Sequence, residues 1–431
     1  MIDYKLSKLK LLRDFPKEQL AGKTILYRSP YDIGVKEIGS GKYEIKDDSR
    51  IRATLSTLKY LIDLRCRIVI LTWIKRPDGK VVEKLRSTPH AEALSKLINK
   101  HVHKINDCIG GGVRKKISTL NPGELLMLEN TRFYSEEMID DDDFAYELAK
   151  NGEIVVFDGF PQAHRIHAST TGILRHLPGV IGFYTEEEIK ALTKLLRNPK
   201  RPFTCVIGGA KISDKVDAIN NLFNIADIIL VGGGVANVFL KAEGKSIGDS
   251  FIEDVFVDKV KKEKKDWVIY AKEIINKKPK DKNFEKFNVS NSVTLNKVLL
   301  PRDLIVTDSL KFPKKSQEIT DPDMVPNGWA AADIGNATAK AFSDIISQSS
   351  TVFWNGPMGI FENEMFENGT KIVSKALLKV KGDVIVSGGD TIEAVNKYID
   401  ISKISHVSLA GGASLELLSG KKIPVLEMLL K

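Results

Sequence analysis

Short runs of β-branched and aliphatic residues alternate along the chain with longer segments in which apolar residues recur every three or four positions. This alternation is typical of βαβ units, and it predicts parallel sheets with helices on both faces. The strands predicted in the first half are Thr24 to Arg28, Arg67 to Thr72, Glu124 to Leu128 and Glu153 to Phe157, and the helices are Arg50 to Leu64 and His90 to Lys100. The strands predicted in the second half are Thr204 to Ile207, Ile228 to Val231, Leu304 to Val306, Thr351 to Trp354, Val384 to Val386 and His406 to Leu409. The pattern therefore predicts an α/β protein with two doubly wound, Rossmann-like parallel-sheet domains.

A charged segment over residues 185–198 separates the two halves. It carries Leu192, Leu195 and Leu196 among charged residues and ends at Asn198 and Pro199, which predicts a linker helix. The first domain is then expected over residues 1–184 and the second over 199–413, with a cleft between them. Within the second domain, the Lys-rich segment 261–297 is interpreted as a surface excursion of unknown role.

Composition agrees with a folded two-domain protein. The chain has 431 residues, of which 42% are hydrophobic and 28% charged, and 431 residues are too many for one ordinary core. The longest apolar stretch, Ile228 to Leu240, is interrupted by three glycines and is shorter than the roughly 20 residues of a spanning helix. Residues 1–13 lack the apolar core of a signal peptide. The three cysteines Cys66, Cys108 and Cys205 are widely separated, which favours a reducing compartment. We expect a cytoplasmic protein without a membrane span.

The formal net charge of +9 is compatible with two kinds of partner, a nucleic acid or a small anionic substrate. The sequence contains no recognisable nucleic-acid-binding motif, and its lysines are scattered over many predicted helices. The small anion is therefore favoured, and no nucleic-acid partner is expected.

A strand, one or more glycines and a helix follow one another at Gly208, Gly232, Gly388 and Gly411. Such junctions point backbone N–H groups and a helix dipole beyond the carboxyl ends of strands, which suits phosphate or base recognition. Four unrelated tight turns are the alternative. Their recurrence in one half of the chain favours a nucleotide site.

These glycines belong to longer motifs: Gly208 to Lys215 (Gly-Gly-Ala-Lys-Ile-Ser-Asp-Lys), Gly232 to Gly234, Trp354 to Glu362, Gly388 to Thr391 and Gly411 to Ser414. In these motifs, their order and their spacing, the chain closely resembles the phosphoglycerate kinase family. The resemblance implies reversible phosphoryl transfer between 1,3-bisphosphoglycerate with ADP and 3-phosphoglycerate with ATP, Mg²⁺ as the cofactor and direct in-line transfer after domain closure. It also implies a monomer whose carboxy-terminal segment 414–431 returns to the first domain.

On the nucleotide side, the resemblance assigns the nucleotide phosphates to Lys215 and the transferring phosphoryl group to Lys211. Because these lysines are four residues apart, we expect them to share a helix face. Asp390 is assigned to Mg²⁺, with a helix N-cap as the alternative, and Thr391 is expected to cap the helix and contact phosphate. The resemblance also assigns Gly411 and Gly412 to the transferring group, Gly233 and Gly234 to the base, Glu362 to the ribose, and Gly209, Asn355, Gly388 and Gly389 to the nucleotide.

On the acid side, the resemblance places Arg50 nearest the acyl phosphate, where it acts with Lys211 in catalysis. Arg76, Arg132 and Arg165 match the family's phosphate-binding set, and His164 and His167 extend it. Arg28 and Asp32 are further candidates for substrate binding. The planar fork of arginine matches phosphate and carboxylate groups, which suits this role. Surface salt bridges are the alternative for any single arginine.

The acid side also departs from the family. The segment Tyr27 to Gly34 reads Tyr-Arg-Ser-Pro-Tyr-Asp-Ile-Gly where the family has Val-Arg-Val-Asp-Phe-Asn-Val-Pro, so Pro30 and Asp32 replace an Asp and an Asn. Trp73 replaces a histidine and Lys75 a glycine. Three hypotheses follow: ordinary phosphoglycerate kinase activity, a kinase with a changed carboxylic-acid substrate, and an ATP-binding protein without turnover.

Overall fold

The computed structural model describes residues 4–258, 263–289, 294–320 and 325–431. The chain divides into two compact units. The first comprises Met1–Thr193 and Lys421–Lys431, and the second comprises Lys194–Gly420. Helix α7, Phe183–Arg197, contains the division and covers the segment predicted as a linker helix.

The first unit is built on a six-stranded parallel sheet in the order β5-β6-β4-β1-β7-β8. Its strands, with the hairpin β2–β3, are β1 Thr24–Arg28, β2 Val35–Gly39, β3 Lys42–Ile45, β4 Arg67–Leu71, β5 Val102–Lys104, β6 Leu125–Met127, β7 Ile154–Phe157 and β8 Gly179–Ile181. Its α-helices before α7 are α1 Lys17–Leu20, α2 Ser49–Asp63, α3 Thr88–Ile98, α4 Gly111–Ser118, α5 Asp142–Ala149 and α6 Ile173–His176. The central strands are almost wholly buried, as their continuous apolar runs require when both sheet faces are covered.

The carboxy-terminal segment completes this first unit. Leu430 pairs with Leu9 in an antiparallel bridge, and the Lys10 N–H donates to the Leu429 carbonyl at 2.9 Å. The Tyr4 hydroxyl donates to Glu427 at 2.8 Å. The final helix, α15 Pro424–Met428, is therefore part of the amino-terminal core, although it is last in sequence.

The second unit also has a six-stranded parallel sheet, in the order β13-β10-β9-β17-β18-β19. The strands of this sheet are β9 Phe203–Ile207, β10 Ile228–Val231, β13 Val298–Leu299, β17 Thr351–Asn355, β18 Asp383–Ser387 and β19 His406–Ser408. A second, three-stranded sheet contains β14 Leu304–Thr307, β15 Ser316–Ile319 and β16 Ala330–Ile334. Strands β11 Val255–Asp258 and β12 Glu263–Asp266 form a separate hairpin. The helices of this unit are α8 Val216–Phe223, α9 Gly233–Ala242, α10 Trp267–Asn276, α11 Asn336–Ser347, α12 Asn368–Leu377, α13 Gly389–Tyr398 and α14 Gly412–Leu418. Two doubly wound parallel-sheet domains are thus confirmed.

Two predictions for the second unit differ from the structure. The strand predicted at Leu304 to Val306 exists, but it lies at the centre of an antiparallel sheet, β15-β14-β16, because a short loop returns the chain directly beside it. The described part of segment 261–297 is not a surface excursion. Helix α10 buries Trp267 and Ile274, and Phe284 and Phe287 join the core. Most of the described lysines of the segment are exposed, but Lys297 is buried and donates to the Ala226 carbonyl.

In the described part of the chain, no helix is long and apolar enough to cross a membrane.

Candidate active site

In the second unit, the loops after β9, β10 and β17 pack against one another through backbone contacts. The Gly209 N–H donates to the Pro357 carbonyl at 2.7 Å, and the Gly233 N–H donates to the Met358 carbonyl at 2.9 Å. A Cβ on Gly208 would stand 2.2 Å from the Pro357 carbonyl oxygen. Glycine is required here because the three loops approach more closely than any side chain allows.

These loops border a cavity of about 340 Å³. The antiparallel sheet forms part of its wall through Leu304 and Ile334, and Met358 and Phe361 add further apolar surface. Exposed Glu362 also lines the cavity. A mostly apolar cavity with a few polar groups at its margin suits a nucleotide base and ribose.

Three of the four predicted glycine junctions have the expected form. Helices α9 and α13 begin at Gly233 and Gly389, directly after their strands, and α14 begins at Gly412. The junction at Gly208 differs, because α8 begins only at Val216. The intervening segment makes a turn in which the Lys215 N–H donates to the Ile212 carbonyl at 2.8 Å.

The predicted shared helix face of Lys211 and Lys215 is therefore wrong, since both lie on the turn that precedes α8. Their environments also differ. Lys211 is exposed, whereas Lys215 is only 8% exposed and its Nζ donates to the Lys211 carbonyl at 3.3 Å. Burial lowers the pKa of Lys215, while the charges of Asp214 and Asp390 oppose that shift. Within the described residues, the buried ammonium of Lys215 has one acceptor, whereas the side chain of Lys211 is open to solvent.

Asp390 lies in the first turn of α13, with its side chain exposed at the margin of the cavity. It is not the N-cap, which is Gly388 and has no side-chain cap. No group of three or more His, Cys, Asp or Glu side chains in the described ranges is arranged to hold a metal ion. A single hard carboxylate fits Mg²⁺ that takes its remaining ligands from phosphate oxygens and water.

Thr391 does not cap α13 either. It is buried, and its Oγ1 accepts a hydrogen bond from the Gly356 N–H at 2.7 Å. Asn355 is also buried and donates through Nδ2 to the Ser387 carbonyl at 2.8 Å. Both side chains hold the glycine loop at the end of β17 in place. Phosphate contacts by either residue remain predictions.

At the end of β19, Gly411 has a φ of 48°, in the region that glycine adopts without strain. Gly412 and Gly389, which open α14 and α13, are both exposed. Their assignment to phosphoryl groups also remains a prediction.

Sequence reasoning missed Asp333, a buried carboxyl in the cavity wall. Burial raises its pKa to about 8, against hydrogen bonds that its oxygens accept from the N–H groups of Gly369 and Ile334. A Cβ on Gly359 would stand 2.3 Å from its Oδ1. The signal was an aspartate within the apolar run Ala330–Ile334, where a charge is out of place.

In the first unit, the structure brings together several of the predicted acid-binding arginines. The side chains of Arg76 and Arg165 are exposed and have no hydrogen-bond or salt-bridge partner within the described ranges. Burial lowers the pKa of the nearby Arg132, and the charges of Arg165 and Arg76 lower it further. His164 lies beside them, and burial and Arg165 lower its pKa to about 4. Exposed, uncompensated guanidinium groups in one patch suit a multiply charged anion.

Arg28, which was also predicted to bind substrate, is fully buried. Its Nε donates to the carbonyl and Oγ of Ser169 at 3.0 and 3.2 Å, and its Nη1 donates to the Ser29 carbonyl. Ser169 in turn donates from Oγ to the buried Glu137 at 2.5 Å. Burial raises the pKa of Glu137 to about 7, although Ser169 and Arg28 hold it down. These contacts favour a supporting role for Arg28, and sequence reasoning missed Glu137.

His167 is likewise a support. Its Nδ1 lies 3.1 Å from the Met138 carbonyl, and its Nε2 lies 3.4 Å from Nη2 of Arg132. Burial and the Arg132 charge lower its pKa to about 4. The neutral ring therefore donates from Nδ1 to the carbonyl and accepts from Arg132 at Nε2.

Asp32 is tied to its neighbours rather than free. Its Oδ1 accepts from the Lys75 N–H at 2.9 Å, and its carbonyl accepts from Nη1 of Arg50 at 2.8 Å. Lys75 has a φ of 54°, in the region that favours glycine. The Asp32 carboxylate therefore helps to hold a strained turn, and Arg50 lies beside it.

A parallel α/β unit with a glycine-bordered apolar cavity, a lysine turn and an exposed carboxylate belongs to the class of nucleotide-dependent phosphotransferases. The family model described as phosphoglycerate kinase matches residues 12–421. The chain belongs to the phosphoglycerate kinase family, whose members transfer a phosphoryl group to a carboxyl acceptor.

Individual relatives agree with this assignment. The chain is 42% identical to a phosphoglycerate kinase from Moorella thermoacetica over 94% of this chain and 96% of that protein. It is 39% identical to one from Prochlorococcus marinus over 96% of each. A solved structure of phosphoglycerate kinase from Coxiella burnetii is 33% identical, with a TM-score of 0.77 over 98% of both chains. The Pyrococcus horikoshii enzyme is 31% identical, with the same TM-score and coverage.

Proposed function

We propose that this protein catalyses the reversible transfer of a phosphoryl group between 1,3-bisphosphoglycerate and ADP, forming 3-phosphoglycerate and ATP. The observation that carries the proposal is the pairing of a glycine-bordered cavity in one unit with a patch of exposed arginines in the other, in a chain that belongs to this family. In this proposal the cavity binds a nucleotide, and the exposed arginines bind an acidic phosphate ester.

In this proposal the second unit holds the nucleotide. Its base occupies the cavity against Gly233 and Gly234, and its phosphates lie against Lys215 and Asp390. Asp390 would hold Mg²⁺, which supplies charge neutralisation to the nucleotide phosphates. The exposed Lys211 contacts the phosphoryl group that is transferred, where a fixed cation offsets the charge spread over three oxygens.

The first unit holds the acid. Arg76, Arg132 and Arg165 bind its phosphate, and Arg50 binds the end that carries the acyl phosphate. Transfer is direct and forms no covalent enzyme intermediate, so catalysis depends on positioning and charge neutralisation. We further propose that the protein acts in the cytoplasm and that it is a monomer. Sedimentation of the purified chain would test the oligomeric state.

The test is ATP formation by purified protein from MgADP and 1,3-bisphosphoglycerate, compared with Lys211→Ala. Loss of a cation aimed at transition-state charge should lower kcat by about 100- to 1,000-fold. Lys272→Ala, which removes an exposed lysine of α10, is the matched control and should retain full activity. Tight ATP binding without turnover would refute the proposal and leave an ATP-binding protein.

A second candidate is a kinase that acts on a different carboxylic acid. The tethering of Asp32 by the Lys75 N–H favours it, because this carboxylate is not free to read a substrate hydroxyl. A screen of carboxylic acids with MgATP separates the two candidates. An acid turned over faster than 3-phosphoglycerate would establish the second.

A further inference from the structure

Trp73 lies against Arg132, one of the proposed acid-binding arginines, and is only 2% exposed. The guanidinium carbons of Arg28 and Arg132 lie over its ring, 4.4 and 4.2 Å from the ring centroid. The His167 ring meets it edge-on, with the centroids 5.1 Å apart. A single indole therefore contacts two cations and the imidazole that supports one of them.

Both guanidinium groups have a buried N–H that lacks an acceptor within the described ranges, at Nη2 of Arg28 and Nε of Arg132. A buried donor without a partner is costly. The electron-rich face of Trp73, which lies beside both groups, offers a cation–π contact and a weak acceptor in its place. The ring thus compensates for two contacts that the surrounding polar atoms do not supply.

Ordinary core packing is the alternative role for a buried tryptophan. Trp73 is as buried as a core residue, at 2% exposure. The aromatic and cation–π contacts of its ring, however, go to charged or polar side chains. Core packing alone does not explain why the two guanidinium groups lie over the ring.

We propose that Trp73 is a positioning residue for acid binding, which holds the guanidinium of Arg132 in the orientation that receives the substrate's phosphate group. This inference rests on the proposed function, because it assigns the acid to this patch. Arg132 is fixed from three sides. Trp73 lies under the guanidinium, the Lys75 carbonyl accepts from Nη1 at 2.7 Å, and His167 accepts from Nη2. Because Nε is buried, the second N–H on each of Nη1 and Nη2 is left for the anion.

The test compares Trp73→Leu and Trp73→Phe with wild type in KM for 3-phosphoglycerate, KM for MgATP, kcat and thermal midpoint. Leucine keeps apolar bulk but has no π face, whereas phenylalanine keeps a smaller one. We expect the KM for 3-phosphoglycerate to rise by about tenfold with leucine and about threefold with phenylalanine. The KM for MgATP should change by less than about twofold in either variant. Trp267→Leu, in α10 of the other unit, is the control for the loss of a buried indole and should leave the KM for 3-phosphoglycerate unchanged.

Fluorescence supplies a second readout. Addition of 3-phosphoglycerate to wild type should change tryptophan emission, and Trp73→Phe should abolish that change. If wild type turns over normally but both variants keep the wild-type KM for 3-phosphoglycerate, this inference fails alone. The inference is also overturned if the variants raise the KM for 3-phosphoglycerate and the KM for MgATP equally. A lower thermal midpoint without a change in the KM for 3-phosphoglycerate would overturn it as well. If wild type neither binds nor phosphorylates 3-phosphoglycerate, the proposed function fails and takes this inference with it.

Discussion

Replacing Lys215 with methionine should stabilise the free protein and weaken nucleotide binding. Methionine nearly matches the lysine stem in length and removes the charge. In the free protein the ammonium is buried and has one hydrogen-bond acceptor among the described residues, the Lys211 carbonyl at 3.3 Å. Removing a poorly compensated buried charge should add about 1 kcal/mol to the free energy of unfolding.

Nucleotide binding should reverse the order of stability of the wild type and the variant. A charge-assisted hydrogen bond to phosphate contributes about 1.5–3 kcal/mol, so its loss should weaken ATP binding by roughly 10- to 150-fold. At an ATP concentration 100 times the wild-type Kd, binding stabilises wild type by about 2.7 kcal/mol. If the variant binds about 30-fold more weakly, the same ATP stabilises it by only about 0.9 kcal/mol. The variant should therefore be the more stable protein without ATP and the less stable one with it.

Urea unfolding with and without ATP measures both effects, and titration calorimetry gives the Kd directly. Lys272→Met, at an exposed lysine of α10, is the matched control and should change neither quantity. The stability difference should also depend on pH. Because burial lowers the pKa of Lys215 below its ordinary 10.5, the folded protein disfavours the charged amine, and this cost disappears as the pH rises toward 10.5. The advantage of methionine should shrink in parallel. A variant that is less stable without ATP, or that ATP stabilises as much as wild type, would refute the reasoning.

Three further predictions follow from single features of the structure. Asp333→Asn should gain stability relative to wild type as the pH rises from about 4 to 8 in urea unfolding. Burial raises the pKa of Asp333 in the folded protein to about 8, so over this range the carboxyl ionises in the unfolded chain but stays protonated in the fold, which costs the wild type stability. Asp390→Asn should raise the Mg²⁺ concentration for half-maximal activity by about tenfold or more without changing the thermal midpoint, since the side chain is exposed; an unchanged Mg²⁺ titration would contradict its assignment. Truncation after Gly420 should abolish 3-phosphoglycerate binding but retain ATP binding in calorimetry, because residues 421–431 pack in the first unit; equal loss of both would count against this division of ligands.

The local pattern of apolar and polar residues was sufficient to predict much of the fold. Strand β1 at Thr24–Arg28 and β10 at Ile228–Val231 match their predicted bounds, because buried parallel strands are continuous apolar runs that end at a glycine or polar turn. A similar apolar run at Leu304 predicted the strand but not the sheet to which it belongs, since the partner of a strand is set by the connection that follows it. The Gly208 motif likewise did not reveal that α8 begins at Val216 rather than at the glycines.

Site geometry was less accessible from sequence because its contacts join distant segments. The indole of Trp73 meets Arg28 and Arg132, and Ser169 links Arg28 to Glu137. Residue type identified the arginines as ligands for an anion, but only the fold shows that Arg28 is buried and that Arg76 is exposed. Type and spacing can nominate charged groups, whereas only the fold shows how deeply each of them is buried.

The departures on the acid side are consistent with one another. Where the resemblance expects a glycine, Lys75 adopts a φ of 54°, a conformation that costs a side-chain-bearing residue about 1–2 kcal/mol. Asp32, itself a departure, accepts the Lys75 N–H at 2.9 Å and lies 4.0 Å from the Lys75 ammonium. The Lys75 carbonyl in the same turn accepts from Arg132, which lies over Trp73. Two altered residues, Trp73 and Lys75, contact one intact arginine, and the third, Asp32, contacts Lys75. The altered residues thus meet at one guanidinium, which fits our proposal that anion binding stays with the arginines that the family retains.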